Sequence, residues 1–240
     1  MNLISIKSPN YSKKTRKKGK IRFLIIHYTG MQSVRASINR LTNPKHKVSC
    51  HYLIDRKGKI FQMVEDDKIA WHAGKSKWQK LTNLNNSSIG IELVNKGHRF
   101  GYQKFPRKQI NILAKLCIKL RKKYKIKNRF ILGHSDIAPL RKSDPGEKFP
   151  WPELKKRKIG IWHSSIKKTS LPDSFSIKVA RKIFFKNLYK IGYRYFNKNR
   201  PLKTDKLVIK SFQRRFRQRK INGKIDLECL KISANLAENS

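Results

Sequence analysis

Three side chains in this sequence could together hold a catalytic metal ion. His134 and Asp144 lie in one segment rich in turn-forming residues, and His27 ends an apolar run that begins at Phe23. Imidazole and carboxylate are ligands that zinc accepts, and three protein ligands leave the fourth tetrahedral position open for water. The set therefore predicts a catalytic zinc centre rather than a structural one.

Two other histidines compete with His27 for its ligand position. His51 opens a predicted hairpin strand, where a structural role is the simpler interpretation. His72 lies in the segment Trp-His-Ala-Gly at positions 71–74, which has the character of a loop beside a cleft. We therefore expect Trp71 and His72 to lie near a substrate rather than to bind the metal.

Glu92 and Lys142 are further candidates, and each has a simple structural alternative. Glu92 lies between Ile91 and Leu93, where an unpaired carboxylate would be costly to bury. The Glu92 side chain therefore either forms a salt bridge or serves as a general base. Lys142 lies two residues before Asp144, so both side chains can face one cleft of an extended loop. It could also be one more solvated lysine.

Four segments resemble the zinc-dependent type 2 N-acetylmuramoyl-L-alanine amidases, which share a fold with the peptidoglycan recognition proteins. They are Ile-Ile-His-Tyr-Thr at 25–29, Trp-His-Ala-Gly at 71–74, Ser-Ile-Gly-Ile-Glu-Leu at 88–93 and Gly-His-Ser-Asp-Ile-Ala-Pro-Leu-Arg-Lys-Ser-Asp-Pro-Gly at 133–146. The resemblance implies hydrolysis of the amide between N-acetylmuramic or anhydro-muramic acid and the L-alanine of the stem peptide. The substrate would be peptidoglycan or a muropeptide.

The same resemblance implies a role for each candidate residue. Zn²⁺ would be bound by His27, His134 and Asp144. Glu92 would take a proton from the attacking water, and Lys142 would stabilise the oxyanion of the tetrahedral intermediate. The expected substrate contacts are Tyr28, Trp71, His72 and Arg141.

Two other functions remain open on the sequence alone. A formal net charge of +45 attracts any polyanion, so nucleic-acid binding is one alternative. However, the sequence has no zinc-finger or RNA-recognition signature, so no specific nucleic-acid partner is expected. The other alternative is a recognition protein that binds peptidoglycan without cutting it. Loss of a zinc ligand would indicate that class, and this sequence retains all three ligands.

The segments around the candidate residues predict strands and helices in alternation. Residues 21–27, 88–94 and 129–133 have the apolar composition of buried strands. Residues 51–55 and 59–64 flank an Arg-Lys-Gly turn, which is typical of a hairpin.

Two helices complete this part of the chain. Ser33 can cap a helix that ends at Leu41, and a longer helix with one apolar stripe runs from Pro106 to Tyr124. The fold class is therefore α/β, with a mixed central sheet flanked by helices, as in the amidases and peptidoglycan recognition proteins.

A second, helical part is predicted after an irregular segment punctuated by proline between Trp151 and Pro172. Three short helices follow, from about Ser174, from about Thr204, and after the Asn-Gly turn at 222–223. We expect a zinc amidase domain at 1–165 and a small three-helix domain at 172–240. The second part resembles the peptidoglycan-binding modules that are often joined to such amidases.

The sequence also yields expectations about the protein's compartment and chemistry. Cys50, Cys117 and Cys229 are widely spaced, so they are expected to be buried rather than paired or bound to zinc. The first residues lack the order of a signal peptide, which predicts a cytoplasmic protein, whereas a wall-binding module would favour the envelope by non-classical export. No run is long enough to span a membrane, and a monomer is expected.

Overall fold

The structure is a computed structural model that describes residues 3–164 and 176–239. Its strands are β1 (Leu3–Ser5), β2 (Tyr11–Thr15), β3 (Phe23–Tyr28), β4 (Tyr52–Ile54), β5 (Ile60–Gln62), β6 (Lys68–Ala70), β7 (Lys77–Trp78), β8 (Leu81–Thr82), β9 (Ser88–Leu93) and β10 (Ile131–Gly133). Its α-helices are α1 (Val34–Thr42), α2 (Arg107–Tyr124), α3 (His134–Ile137), α4 (Trp151–Lys156), α5 (Ile177–Ile191), α6 (Asp205–Phe216) and α7 (Leu227–Glu238).

Six strands form one mixed sheet in the order β1-β5-β4-β9-β3-β10. Neighbouring strands are parallel except β4 and β5, which form the predicted hairpin. The predicted α/β class with a mixed central sheet is thereby confirmed. Because β3, β9 and β10 are adjacent and parallel, their carboxyl ends lie at one edge of the sheet, where α/β proteins commonly place their ligand sites.

Helices α1 and α2 cover opposite faces of this sheet. In β4, Tyr52 and Ile54 belong to the main core with the apolar stripe of α2. Leu53, between them, belongs to a smaller core with Leu41 of α1, as the alternation of side chains along a strand requires. Both predicted helices are confirmed, and the side chain of Ser33 caps α1 by accepting a hydrogen bond from Ala36 N at 3.0 Å.

The segment after Pro150 is more ordered than its composition predicted. Trp151 begins the short helix α4, and both Trp151 and Leu154 are buried. Pro152 is compatible with this helix because the first turn needs no backbone donor at that position. Proline therefore marks the start of a helix here rather than a linker.

The three C-terminal helices are also confirmed, and they share a core with the rest of the protein. Phe184, Leu188 and Phe212 belong to the same hydrophobic cluster as the central strands. Helix α6 begins directly after Thr204, as predicted, although the Thr204 side chain makes no capping hydrogen bond. The predicted boundary between 165 and 172 lies outside the described residues, so the division into two domains stays a prediction.

Two smaller expectations can be compared directly with the structure. Cys50, Cys117 and Cys229 are free and buried, as expected. Within the part of the chain that the structure describes, no helix combines the length and the apolar character needed to cross a bilayer.

Candidate active site

The three predicted metal ligands meet at the carboxyl edge of the sheet. His27 lies near the end of β3, His134 directly follows β10, and Asp144 lies in the loop after α3. His27 Nδ1 is 2.9 Å from His134 Nδ1, and Asp144 Oδ2 is 3.1 Å from each of these nitrogens. All three residues are buried. Three ligand atoms thus form a nearly equilateral triangle.

The contacts of His134 Nε2 bear on which of its ring nitrogens carries the proton. This atom lies 3.2 Å from the carbonyl oxygen of Ala73, which can only accept, and 3.3 Å from Arg141 Nη2, which can only donate. The shorter contact favours a hydrogen on Nε2, which in the neutral ring leaves Nδ1 with a lone pair facing the triangle.

A longer chain of hydrogen bonds fixes His27 in the same way. Ser88 Oγ donates its only hydrogen to Leu84 O at 2.6 Å, so it must accept from His72 Nε2 at 3.2 Å. His72 Nδ1 is then an acceptor, and it receives the hydrogen of His27 Nε2 at 3.0 Å. His27 Nδ1 therefore also presents a lone pair to the triangle.

Two imidazole lone pairs and one carboxylate oxygen thus face each other without a proton between them. Such an arrangement is repulsive unless a cation lies among the three atoms. Tetrahedral zinc with bonds of about 2.0–2.1 Å would place its donors about 3.3 Å apart, close to the observed separations. The donor set and its dimensions therefore fit a zinc ion.

The pKa values of the ligands agree with this assignment. Burial, and then the charge of His134, lowers the pKa of His27 to about 4. Burial also holds the pKa of His72 well below its usual value. Burial alone would raise the pKa of Asp144, but the adjacent His134 and His27 hold it far below its usual range. Near neutral pH His27 is therefore a neutral imidazole and Asp144 an ionised carboxylate.

Glu92 lies beside His27 on the neighbouring strand. The two residues are paired in the register of β3 and β9, so they project from the same face of the sheet. Its Oε2 atom is buried without a hydrogen-bond partner among the described residues. Burial, and then the negative charge of Asp144, raises the pKa of Glu92 to about 8, while Lys142 opposes this rise. This carboxyl group can exchange a proton near physiological pH.

A cavity of about 620 Å³ opens over the triangle. The predicted site residues that line it are Tyr28, His72, Glu92, His134, Arg141, Lys142 and Asp144. Trp71, although partly buried, is not among the described residues that line this cavity. The Arg141 guanidinium donates to the carbonyl oxygens of Ala73 and of Lys75, the latter at 3.0 Å.

The residues that orient the ligands could not be recognised from sequence patterns. Ala73 contributes only a backbone carbonyl, which leaves no signature in a sequence. Ser88 precedes Glu92 by four residues on β9, and this even spacing places both on one face of the strand. Gly90 lies between them, and a Cβ atom there would collide with the His72 ring. The glycine therefore makes room for the histidine that holds His27.

The fold and the site define a class of hydrolase built around a candidate metal centre at the edge of a mixed sheet. The chain belongs to the N-acetylmuramoyl-L-alanine amidase family, which matches residues 17–147. Members of this family hydrolyse the amide between N-acetylmuramic acid and L-alanine. Family membership favours the enzyme over a non-catalytic recognition protein or a nucleic-acid-binding protein.

Named relatives are similar over different lengths of the chain. N-acetylmuramoyl-L-alanine amidase AmiD of Escherichia coli is 34% identical over 242 residues, which cover 91% of this chain and 83% of AmiD. The 1,6-anhydro-N-acetylmuramyl-L-alanine amidase AmpD of Haemophilus influenzae is 34% identical over 164 residues, covering 61% of this chain and 86% of AmpD.

Solved structures extend the similarity to the C-terminal helices. The complex of E. coli AmiD with anhydro-N-acetylmuramic acid-L-Ala-D-gamma-Glu-L-Lys superposes with a TM-score of 0.80 at 31% identity, covering 96% of this chain and 93% of that one. AmpDh3 of Pseudomonas aeruginosa, in complex with an anhydromuramic pentapeptide, superposes with a TM-score of 0.81 at 31% identity, covering 98% of both chains.

Proposed function

We propose that this chain is a zinc-dependent amidase whose metal is held by His27, His134 and Asp144. The observation that carries the proposal is the convergence of two imidazole lone pairs and a carboxylate oxygen at separations of 2.9–3.1 Å. The proposed reaction releases the stem peptide, beginning with L-alanine, from muramic or anhydro-muramic acid.

The remaining site residues are proposed to move protons and stabilise charge. When bound, Zn²⁺ supplies an acidified water and polarises the scissile carbonyl group. Glu92 takes a proton from the attacking water and delivers it to the leaving amine of L-alanine, which a pKa of about 8 permits. Lys142, which lines the same cavity, is proposed to stabilise the oxyanion that forms on attack.

Cationic side chains around the cavity support an acidic substrate. Arg40 and Arg99 line it together with Arg141 and Lys142. A muropeptide carries carboxylate groups, and guanidinium groups bind carboxylates in a paired geometry. Tyr28 adds a phenol on the rim, held 2.8 Å from His98 Nδ1.

The proposed substrate contacts therefore remain Tyr28, Trp71, His72 and Arg141. For His72 and Arg141 the hydrogen bonds add a second role, because His72 holds His27 and Arg141 holds the loop at 73–75. Trp71 has the weakest support of the four, because it lies away from the cavity lining.

We further propose soluble anhydro-muropeptides as the preferred substrate. The structural relatives AmiD and AmpDh3 were each solved with an anhydro-muramic peptide. The helical part at 172–240 is proposed to contribute contacts to longer glycan chains, as its resemblance to peptidoglycan-binding modules implies. The cytoplasmic location and the monomeric state stay predictions from the sequence.

Product analysis tests this proposal. The purified protein should convert an anhydro-muramyl tripeptide into anhydro-muramic acid and a free tripeptide, each identified by mass. Intact sacculi supply the second substrate and should react more slowly. Cleavage at another bond would contradict the proposed reaction, and faster release from sacculi would contradict the proposed preference for soluble substrate.

A further inference from the structure

A buried carboxylate next to the metal site has no part in the proposed chemistry. Asp136 lies two residues after His134 and is 1% exposed. Its Oδ2 accepts from the backbone N of Gly133 at 2.7 Å, and its Oδ1 accepts from the Tyr193 hydroxyl at 2.6 Å. The guanidinium of Arg215 donates to Oδ2 as well. Two of these three donors belong to the C-terminal helical part.

Arg215 also joins the strand that leads to His134. Its Nη2 donates to the carbonyl oxygen of Ile131, the first residue of β10, at 3.0 Å. Its guanidinium lies over the ring of Trp151, 4.2 Å from the ring centroid. Because Arg215 is only 2% exposed, this placement is fixed by packing as well as by charge.

A second residue of α6 contacts the same turn. Ser211 Oγ donates to the carbonyl oxygen of Ser135 at 2.7 Å. Helix α6 therefore contacts the chain on both sides of His134, at Ile131 and at Ser135. The helix that contains His134, α3, has only four residues. A single turn of this length is not stable by itself, so its position depends on what surrounds it.

We propose that the C-terminal helical part is a structural component of the metal centre, with Arg215, Tyr193 and Ser211 as positioning residues. They hold the turn at Asp136 and Ser135 so that His134 Nδ1 stays within the triangle. A buried ion pair contributes little net stability but can fix one arrangement, which suits this role. The inference rests on the proposed metal site, because positioning is defined by metal binding.

The test compares two buried arginines in the whole chain of residues 1–240. Arg215→Met removes the pair with Asp136. Arg217→Met removes a similarly buried arginine, 3% exposed, whose partners Asp226 and Glu228 lie within the helical part. Zinc affinity is measured by competition with a chromophoric chelator, and the Co²⁺-substituted proteins are compared by visible absorption. Residues that orient a ligand are worth about 10-fold or more in affinity.

We expect Arg215→Met to lose about 10-fold in zinc affinity and to change the Co²⁺ spectrum, while folded Arg217→Met keeps both. Parental affinity and spectrum in Arg215→Met would overturn the inference. If the parent protein itself bound no zinc, the proposed metal site would fail instead.

If Arg215→Met does not fold, two milder variants are used for the test. Tyr193→Phe removes one hydrogen bond to Asp136, and Ser211→Ala removes the bond to Ser135. Ser233→Ala is the matched control, because Ser233 is a buried serine whose hydrogen-bond partners among the described residues, Leu230 O and Asn187, lie within the helical part. Weaker zinc binding in the first two variants but not in the control supports the inference. Equal affinity in all three overturns it.

Discussion

The protonation states of two imidazole rings determine what the centre of this site can hold. Contacts to Ala73 O and, through His72, to Ser88 Oγ favour hydrogens on the Nε2 atoms of His134 and His27. Both Nδ1 atoms therefore point lone pairs toward Asp144. Outer partners raise the basicity of a histidine that binds a metal, so His72 and Ala73 would support the proposed metal site without contacting the ion.

Glu92 offers the sharpest test of a catalytic role for one residue. Glu92→Gln keeps the shape of the side chain but cannot accept a proton, so the turnover rate should fall roughly 10² to 10⁴-fold with zinc content unchanged. Steady-state rates and metal analysis provide the measurement. Glu153→Gln, which alters a partly exposed carboxylate paired with Arg157, is the control. A rate within a few-fold of the parent would assign Glu92 a structural role.

Lys142 requires a stricter control because lysine is abundant in this chain. Lys142→Met keeps the aliphatic stem and removes the charge, so turnover should fall on the order of 10² to 10³-fold, with KM changing less. Lys148→Met is the matched variant, because Lys148 is exposed and donates to Tyr102 O at 2.6 Å, away from the cavity lining. Similar kinetics for both variants would place Lys142 among the solvated cations.

At the scale of elements, one carboxylate joins the sheet to the long helix. Asp66, in the loop before β6, accepts hydrogen bonds from Tyr52 of β4 at 2.6 Å, from Tyr124 at 2.6 Å and from Lys123 at 2.9 Å. Burial alone would raise the pKa of Asp66, but hydrogen bonds from these three side chains outweigh it and lower the pKa. The end of α2 is thereby fixed to the sheet.

This lowered pKa predicts a pH-dependent contribution to stability. The contribution is fully present above the unfolded-state pKa of about 3.9 and is lost as pH falls through the lower folded-state value. Asp66→Asn should therefore lower the free energy of unfolding at pH 7 by about 1–3 kcal/mol, with the difference shrinking below about pH 4. Urea unfolding across pH measures it. Asp67→Asn, at an exposed neighbour, should show no such difference, and a pH-independent loss in Asp66→Asn would contradict the assignment.

Elements with a strong local pattern were predictable, and those defined by distant contacts were not. The apolar run of β3 and the stripe of α2 specify strand and helix by themselves. Strand β2, with two consecutive lysines, is a strand because it pairs with β6. In the site, the types and spacing of His27, His134 and Asp144 predicted the triangle. The contribution of Ser88 depends on a hydrogen-bond chain through His72 that no local pattern encodes.

For the whole molecule, the C-terminal helical part and the rest of the protein meet through polar as well as apolar contacts. The backbone N of Gln79 donates to Gly192 O at 2.8 Å, and Gln218 donates to Phe149 O at 2.7 Å. Through these contacts and the shared core, the two parts pack against each other. The formal net charge of +45 favours acidic ligands in general. Specificity for the substrate therefore depends on the cavity.

The most direct test of the central claim is zinc reconstitution of metal-free protein. Protein stripped with a chelator should have no amidase activity. Added zinc should restore this activity, which should reach its maximum at about one zinc ion per chain. Asp144→Ala should bind zinc much more weakly, because it removes the anionic ligand of the triangle. Full activity in the stripped protein would contradict the account. So would an Asp144→Ala variant that binds zinc with the same stoichiometry and affinity as the parent protein.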